Sequence, residues 1–206
     1  MIKRAIAITL LLASVAGAGQ YYALHHARLG RVVPVVGGFV YTGGTRASNL
    51  STRKYDSSGT LLWSTDHGAS VFCIAVDSSG NVYTGGDLIN SITTRKYDSS
   101  GTLLWSTDHG ASVRGIAVDS SGNVYTGGNR ASSITTRKYD SSGTLLWSMD
   151  HGAIVRGIAV DSSGNVYTGG TRINNLSTRK YDSSGTLLWS TDHGANVLGL
   201  AAEPLN

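Results

Sequence analysis

The pentapeptide Val-Tyr-Thr-Gly-Gly occurs four times in this chain, and its strict spacing constrains the fold more than any other sequence feature. The copies begin at Val40, Val82, Val124 and Val166, so the interval is 42 residues each time. A chain with internal repeats of this length folds as an array of similar units, each packed against its neighbours. One repeat can therefore stand for the others.

The third repeat contains four short segments with the composition of β-strands. They are Val113–Val118, 123–126, Ile134–Tyr139 and 144–148. Asp-Ser-Ser-Gly sequences at 119–122 and 140–143 separate the first and the last pair. Asp at the first position of such a turn bonds the backbone, and Gly three residues later accepts a positive φ. We expect Gly127 and Gly128 to end the second strand.

Each repeat is therefore predicted to form a four-stranded antiparallel meander. Apolar side chains occur at adjacent positions, such as Leu145 and Leu146, so both faces of the sheet are expected to be covered. Sheets arranged around an axis cover one another in this way and leave only short edges. The sequence predicts an all-β fold, a β-propeller of four 42-residue, four-stranded antiparallel blades. An open β-solenoid stack is the alternative.

The basic residues are spread over the repeats, although the net charge is +4. Arg53 and Lys54 form the Arg-Lys pair of the first repeat, and the same pair recurs in each later repeat. Adjacent strand residues point to opposite faces, so these pairs form no continuous basic stripe. Nucleic-acid binding usually shows such a face, and no nucleic-acid partner is predicted.

The first 18 residues have the pattern of a secretory signal peptide. Lys3 and Arg4 precede an apolar run at 5–16, and small residues follow at 16–18. The run is shorter than the about 20 residues that a membrane helix needs. We expect residues 1–18 to be a signal, 19–31 a spacer and 32–206 the repeat domain of a secreted or periplasmic protein. No stable membrane insertion is expected after cleavage; an uncleaved anchor is the alternative.

Two stretches of the repeat resemble known propeller families. The string Gly-Ile-Ala-Val-Asp-Ser-Ser-Gly-Asn-Val-Tyr-Thr-Gly-Gly, at 115–128 and 157–170, resembles the bacterial repeat named for seven-bladed β-propellers (SBBP) and is similar to the NHL repeat. The segment 139–147 resembles the Gly-x-x-x-Trp segment of quinoprotein-like propeller repeats. The resemblance covers nearly all of 32–202 and implies that the first strands lie nearest the axis. It implies a fold and not a function, because these families include binding proteins, surface proteins and a few enzymes.

The number of repeats departs from that family. There are four, and the first is irregular, because residues 32–38 replace the usual first strand and turn. A single first-strand match also follows the last repeat, at residues 197–202. That strand is predicted to complete blade one and to latch a closed four-bladed ring, at the lower limit of about 4–8 blades. A homodimer that completes a larger, eight-bladed ring is the competing arrangement.

Differences between the repeats gather after Val-Tyr-Thr-Gly-Gly and at the start of the first strand. In a four-stranded meander both places lie at one end of the blade, opposite the unchanged turns; we name this end the variable face. Loops on a rigid frame often bind ligands, so a glycan or protein partner is predicted there; drift of unconstrained loops is the other interpretation. The candidate ligand-binding residues are Thr45, Arg46, Phe72, Asp87, Asn90, Arg114, Asn129, Arg130, Arg156, Thr171, Arg172 and Asn174.

One histidine and one tryptophan recur in every repeat. The histidines, which each follow an aspartate, are His67, His109, His151 and His193. Four imidazoles related by rotation are weak candidates for a metal site, and we expect instead that they hold neighbouring blades together. The tryptophans are predicted to pack between blades with the indole N–H hydrogen-bonded. Cys73, the single cysteine, is expected to be buried and unreactive.

Residues that occur in one repeat only are too few to suggest a reaction. They are Phe72, Cys73, Asp87, Met149 and Glu203, and they contain no acid–base pair or nucleophilic triad. No glycine-rich phosphate loop is present, and no cofactor is predicted. The sequence therefore predicts a non-catalytic binding or scaffold propeller. The alternative is a propeller enzyme of the quinoprotein or lyase type, suggested by the Gly-x-x-x-Trp segment.

Overall fold

The computed structural model describes residues 31–34, 38–44, 52–89, 92–131, 134–150, 152–173 and 176–202. These residues form sixteen strands and contain no helix that could cross a membrane. The strands are β1 (Arg31–Pro34), β2 (Val40–Gly43), β3 (Thr52–Tyr55), β4 (Leu61–Thr65), β5 (Val71–Val76), β6 (Val82–Ile89), β7 (Ile92–Tyr97), β8 (Leu103–Thr107), β9 (Val113–Val118), β10 (Val124–Ala131), β11 (Ile134–Tyr139), β12 (Leu145–Met149), β13 (Val155–Val160), β14 (Val166–Ile173), β15 (Leu176–Tyr181) and β16 (Leu187–Thr191). The predicted signal at 1–18 lies outside the described residues.

The strands form four sheets in chain order, each a four-stranded antiparallel meander. Blade one is β1–β4, blade two β5–β8, blade three β9–β12 and blade four β13–β16. The first strands of neighbouring blades contact one another, β1 with β5, β5 with β9 and β9 with β13. The first strands therefore lie on the inside and the fourth strands on the outside. This is the predicted all-β propeller architecture, which the structure confirms.

The hydrophobic core lies between blades. Tyr41 of blade one packs with Val82 of blade two, and Tyr83 of blade two packs with Val113 of blade three. Cys73 is fully buried in the second of these clusters, as expected from its apolar strand. Because each cluster takes side chains from two blades, a single blade cannot bury its own core.

The outer strands are less covered than predicted. Leu145 and Leu146 are 48% and 51% exposed, so the expectation that both faces of the fourth strand are covered is wrong. Blades that radiate from an axis diverge with distance from it, and the neighbouring sheet therefore covers the inner strands more completely than the outer one.

The second strand is longer than predicted. The bounds of β9 and β11 agree with the sequence analysis, but β10 continues through Gly127 and Gly128 to Ala131. The prediction that the Gly-Gly pair ends this strand is wrong. Glycine is required at both positions because there is no room for a side chain. A Cβ atom on Gly128 would overlap the Ser112 carbonyl oxygen, and one on Gly127 would overlap Val155 of the next blade.

The turn between β9 and β10 has the predicted chemistry. Gly122 N donates to Asp119 O at 3.0 Å, and the φ angle of Gly122 is +81°. Asp119 Oδ1 accepts from the backbone N of Ser121 and of Asn123, at 2.9 Å each. Asp119 Oδ2 accepts from the hydroxyl of Tyr125 at 2.9 Å. The aspartate therefore joins the turn to a buried tyrosine of the blade junction.

Replacing Gly122 with Val is expected to destabilise the protein by about 2 kcal/mol, because a β-branched residue is strained at positive φ. Gly122→Asn is the matched control, since asparagine tolerates this region. Both replacements add a Cβ atom, which meets Ser141 Cβ at 3.2 Å, so their difference isolates the backbone preference. Circular dichroism melts of the two variants measure it. Equal melting temperatures would contradict the turn assignment.

The four blades form an open arc in the described part of the chain. The first strand of blade one is its own β1, which pairs with β2. Residues 197–202 lie against blade four instead, where Val197 N donates to Gly170 O at 2.8 Å. Val71 N donates to Gly44 O in the same way at the junction of blades one and two. Residues 197–202 thus hold the place of the first strand of a following blade, and the predicted latch onto the chain's own blade one is not formed among these residues.

Candidate functional site

Three candidate residues lie at β-bulges of the inner strands. In blade two, Val71 pairs with Gly86 and Cys73 pairs with Gly85, so Phe72 between them has no partner in the ladder. Arg114 and Arg156 occupy the same place in β9 and β13. A bulge redirects its extra side chain and interrupts the ladder, and bulges are common beside binding sites. The inner strands therefore present one phenylalanine and two arginines in a row at the variable face.

Phe72 and Arg114 contact each other across the junction of blades two and three. The guanidinium carbon of Arg114 lies 4.6 Å from the centroid of the Phe72 ring, a distance that permits a cation–π interaction. Arg114 Nε also donates to Asn129 Oδ1 at 3.2 Å. The structure thus brings together residues from both variable places in the sequence, the start of the first strand and the position after Val-Tyr-Thr-Gly-Gly.

Blade four has the same arginine, but the residue that corresponds to its hydrogen-bond partner differs. Arg156 corresponds to Arg114, and Thr171 corresponds to Asn129. Both Arg156 Nε and Thr171 Oγ1 are buried atoms without a hydrogen-bond partner in the described part of the chain. Threonine is one atom shorter than asparagine along its side chain, which accounts for the missing bond. Arg156 Nε is therefore an unused donor within the described residues, whereas Arg114 Nε is already bonded to Asn129.

The remaining candidates are distributed around this pair. Ser112 Oγ donates to Asp87 Oδ1 at 3.2 Å, so Asp87 joins its blade to the next one; Ser112 is not among the predicted site residues. The backbone of Arg130 and Arg172 belongs to β10 and β14, near the hairpins of the variable face. Four candidates lie outside the described residues: Thr45, Arg46, Asn90 and Asn174.

The described histidines lie in separate blade junctions. Arg95 Nη1 donates to His67 Nδ1 at 3.2 Å, and Arg95 Nη2 donates to His67 O at 3.1 Å. His109 Nδ1 lies 3.0 Å from Thr126 Oγ1 in the next junction. His193, in the segment after blade four, is exposed, and His151 lies outside the described residues. Within those residues, no group of three or more His, Cys, Asp or Glu side chains is placed to hold a metal ion.

Burial keeps the two inner-junction histidines neutral. Burial, together with the nearby Arg95 guanidinium, lowers the pKa of His67 from its ordinary 6.5 to about 4, against the opposing effect of Asp66. The pKa of His109 is also lowered to about 4, by burial and by Arg137. A neutral imidazole can accept the hydrogen bond from Arg95, as the geometry at His67 requires.

The tryptophans join consecutive blades. The indole Nε1 of Trp63 donates to Ser99 O at 3.2 Å, that of Trp105 to Ser141 O at 3.1 Å, and that of Trp147 to Ser183 O at 3.2 Å. Each acceptor is in the outer turn of the following blade. These three residues have the packing and the hydrogen-bonded N–H that the sequence predicts.

A protein-family model agrees with the repeat. The family described as "Beta-propeller repeat" (SBBP) matches residues 108–129, from the loop that enters blade three into its second strand. The predicted resemblance to this repeat is therefore confirmed over that segment. No curated protein sequence matches the chain.

Solved β-propellers have a similar fold. The WD40 β-propeller domain of Doa1 has a TM-score of 0.62 at 18% identity, and the match covers 79% of this chain and 53% of that one. Streptogramin B lyase has a TM-score of 0.63 at 17% identity, and the match covers 85% of this chain and 55% of that one. The computationally designed Ika8 protein has a TM-score of 0.61 at 17% identity, and the match covers 90% of this chain and 67% of that one. The chain thus spans about half the length of the first two, and at these identities the likeness concerns the fold alone.

Proposed function

We propose that this chain is a non-catalytic binding propeller that recognises carboxylate groups of a glycan or protein through the inner end of its variable face. The observation that supports the proposal is the pair of arginines at bulges of adjacent inner strands, Arg114 and Arg156. Together with Phe72, Asn129 and Thr171 we name them the arginine rim. If residues 1–18 act as the predicted signal, the rim works in the periplasm or outside the cell.

The chemistry of the rim favours an anionic ligand. A guanidinium presents a planar fork of donors that matches both oxygens of a carboxylate, and such bonds are about twice as strong as neutral ones. The polar partner of Arg114 is the amide oxygen of Asn129, which leaves its charge uncompensated by that contact. Both arginines are partly buried, so a carboxylate would meet charges that bulk water screens incompletely.

The rim also has the position that a propeller offers for binding. It lies on inner strands, which are held by the blade junctions, and beside hairpins that differ between repeats. A rigid frame with variable loops suits recognition. The described side chains supply no observation that favours the alternative, a quinoprotein- or lyase-type enzyme, so we propose no reaction.

The test is calorimetric titration of the purified protein with polygalacturonate, poly-L-glutamate and dextran. We expect an acidic polymer to bind and neutral dextran not to bind. Binding of polygalacturonate alone would identify a glycan, and binding of poly-L-glutamate alone would identify a protein segment. Equal affinity for dextran, or no affinity for either acidic polymer, would contradict the proposal.

Arg114→Gln and Arg156→Gln are each expected to weaken binding about tenfold, because each removes a charge-assisted hydrogen bond. Arg114→Lys should have an intermediate affinity, since it keeps the charge and loses the fork. Leu104→Gln is the control, because this side chain is 51% exposed on an outer strand, away from the rim. Arginine variants that bind as well as the control would remove the rim from the proposal.

A further inference from the structure

Each internal blade junction is closed by the same pair of donors. At the junction of blades one and two, Trp63 Nε1 and Lys54 Nζ both donate to Ser99 O, at 3.2 and 2.9 Å. At the two later junctions the serine carbonyls again accept from one tryptophan and one lysine. The face of a blade that packs on the following blade, which we name the trailing face, therefore carries the two donors. The face that packs on the preceding blade, which we name the leading face, carries the acceptor.

The leading face also seats the indole ring. A Cβ atom on Gly101 would lie 2.9 Å from Trp63 Cδ2, and one on Gly143 would lie 2.9 Å from Trp105 Cδ2. The outer-turn glycine of each following blade is therefore in direct contact with the tryptophan before it. Each junction thus has a flat seat under the ring and a carbonyl acceptor beside it.

The two ends of the arc each carry one half of this junction. On blade four, Trp189 is 44% exposed and has no such carbonyl acceptor within the described residues. Lys180 Nζ lies 5.1 Å from the centroid of the Tyr167 ring in its own blade. On blade one, the seat is open, since no described residue lies within 4 Å of a Cβ atom on Gly59. Tyr55 there is only partly buried, whereas the equivalent Tyr97 is 4% exposed.

We propose that blade four binds blade one of a second copy of this chain, and that two copies close head to tail into an eight-bladed ring. In this arrangement Trp189 Nε1 and Lys180 Nζ donate to the carbonyl of Ser57 of the partner subunit. The indole ring covers Gly59 of the partner subunit. The two-fold ring contains two such junctions, so no blade face is left open.

Residues 197–202 are already placed for this exchange. Val197 Cγ1 lies 2.5 Å from a Cβ atom built on Gly169, as Val113 Cγ1 does from one on Gly85 at an internal junction. The segment therefore sits where the first strand of the incoming blade belongs. It matches the repeat there better than β1 does, because Val-Leu-Gly-Leu-Ala-Ala resembles Val-Arg-Gly-Ile-Ala-Val. It would pair with β2 of the partner subunit in place of that subunit's β1, so the predicted latch acts between chains.

A second copy fits the arc better than the chain's own blade one does. The four blades superpose on propellers with TM-scores of 0.61–0.63 while covering only 53–67% of those chains. The arc therefore superposes on part of a longer propeller chain, as one half of a larger ring would. Two arcs joined by the same junction give eight blades, within the about 4–8 found in propellers.

The test is the solution mass of the purified protein by light scattering behind a sizing column. We expect twice the mass of one chain at micromolar concentration, and the mass of one chain for Trp189→Glu. The matched control is Leu188→Glu, which should stay dimeric. Leu188 is 51% exposed, like Leu104 and Leu146, whether or not a blade follows, so it is no part of the junction.

A second variant tests the opposite face. Gly59→Asn keeps the positive-φ turn and adds a side chain in the open seat, so it should also give single chains. Circular dichroism confirms that each variant is folded. A wild-type mass of one chain, or of more than two, would overturn the two-chain ring, and dimeric Trp189→Glu would overturn the assigned face. None of these outcomes depends on the arginine rim.

Discussion

Gly128→Ala is expected to lower the free energy of unfolding by about 3 kcal/mol, at the upper end for an overpacked site. The added methyl group would overlap the Ser112 carbonyl oxygen and lie 3.0 Å from Val113 Cα. Both obstacles are backbone atoms of an inner strand, so no side-chain rotation relieves the contact. The strand must move, and the bulge at Arg114 and the next junction must move with it.

The measurement is a thermal melt followed by circular dichroism, with an expected decrease of about 10 °C for a domain of this size. Leu104→Ala is the control, because this side chain is 51% exposed on an outer strand. Gly170→Ala should behave like Gly128→Ala, since its Cβ atom would overlap the Ile154 carbonyl oxygen. A Gly128→Ala protein that melts with the control would show that the strands do not approach as closely as described.

Acid is expected to destabilise the propeller through its buried histidines. His67 and His109 have pKa values of about 4 in the folded chain, against an ordinary 6.5. Below pH 6.5 the unfolded chain takes up protons that the folded chain does not, so stability falls as the pH falls from about 6.5 to about 4. The full loss is about 3 kcal/mol for each histidine. Above pH 6.5 both histidines are neutral in the folded and in the unfolded chain, so they no longer make stability depend on pH.

Melting temperatures measured between pH 7.5 and pH 4 test this prediction. His109→Gln should reduce the slope of stability with pH, because it removes one of the two groups that take up a proton on unfolding. His193→Gln is the control: this imidazole is exposed in blade four, and the variant leaves His67 and His109 in place. An unchanged slope in His109→Gln would mean that other groups cause the loss of stability in acid.

The sequence predicted the structure within each blade better than the contacts with residues distant in the sequence. Asp119 and Gly122 act within a few residues of each other, and the turn they form has the expected geometry. The bounds of β9 and β11 were also correct. The Gly-Gly pair was misinterpreted, because its cause is the closeness of Ser112 and of the next blade, which are distant in sequence.

The sequence predicted which residues belong to the candidate site, but it did not predict how they are arranged in space. Comparison of the repeats selected Phe72, Arg114 and Arg156 because they differ between otherwise similar copies. The bulges that align these residues depend on the pairing register of two strands, which a single sequence does not show. The contact between Phe72 and Arg114 likewise depends on the packing of two blades.

The sequence by itself determined the unit of this protein, a four-stranded blade of 42 residues that cannot bury its own faces. Turn chemistry and apolar patterning act within one repeat, so they can be recognised without the fold. Only the tertiary structure decided the curvature of the arc and the place of residues 197–202 against blade four. The physical reason is that the angle between blades is set by side chains packed across each junction, and nearly identical repeats can pack equally well into rings of different size.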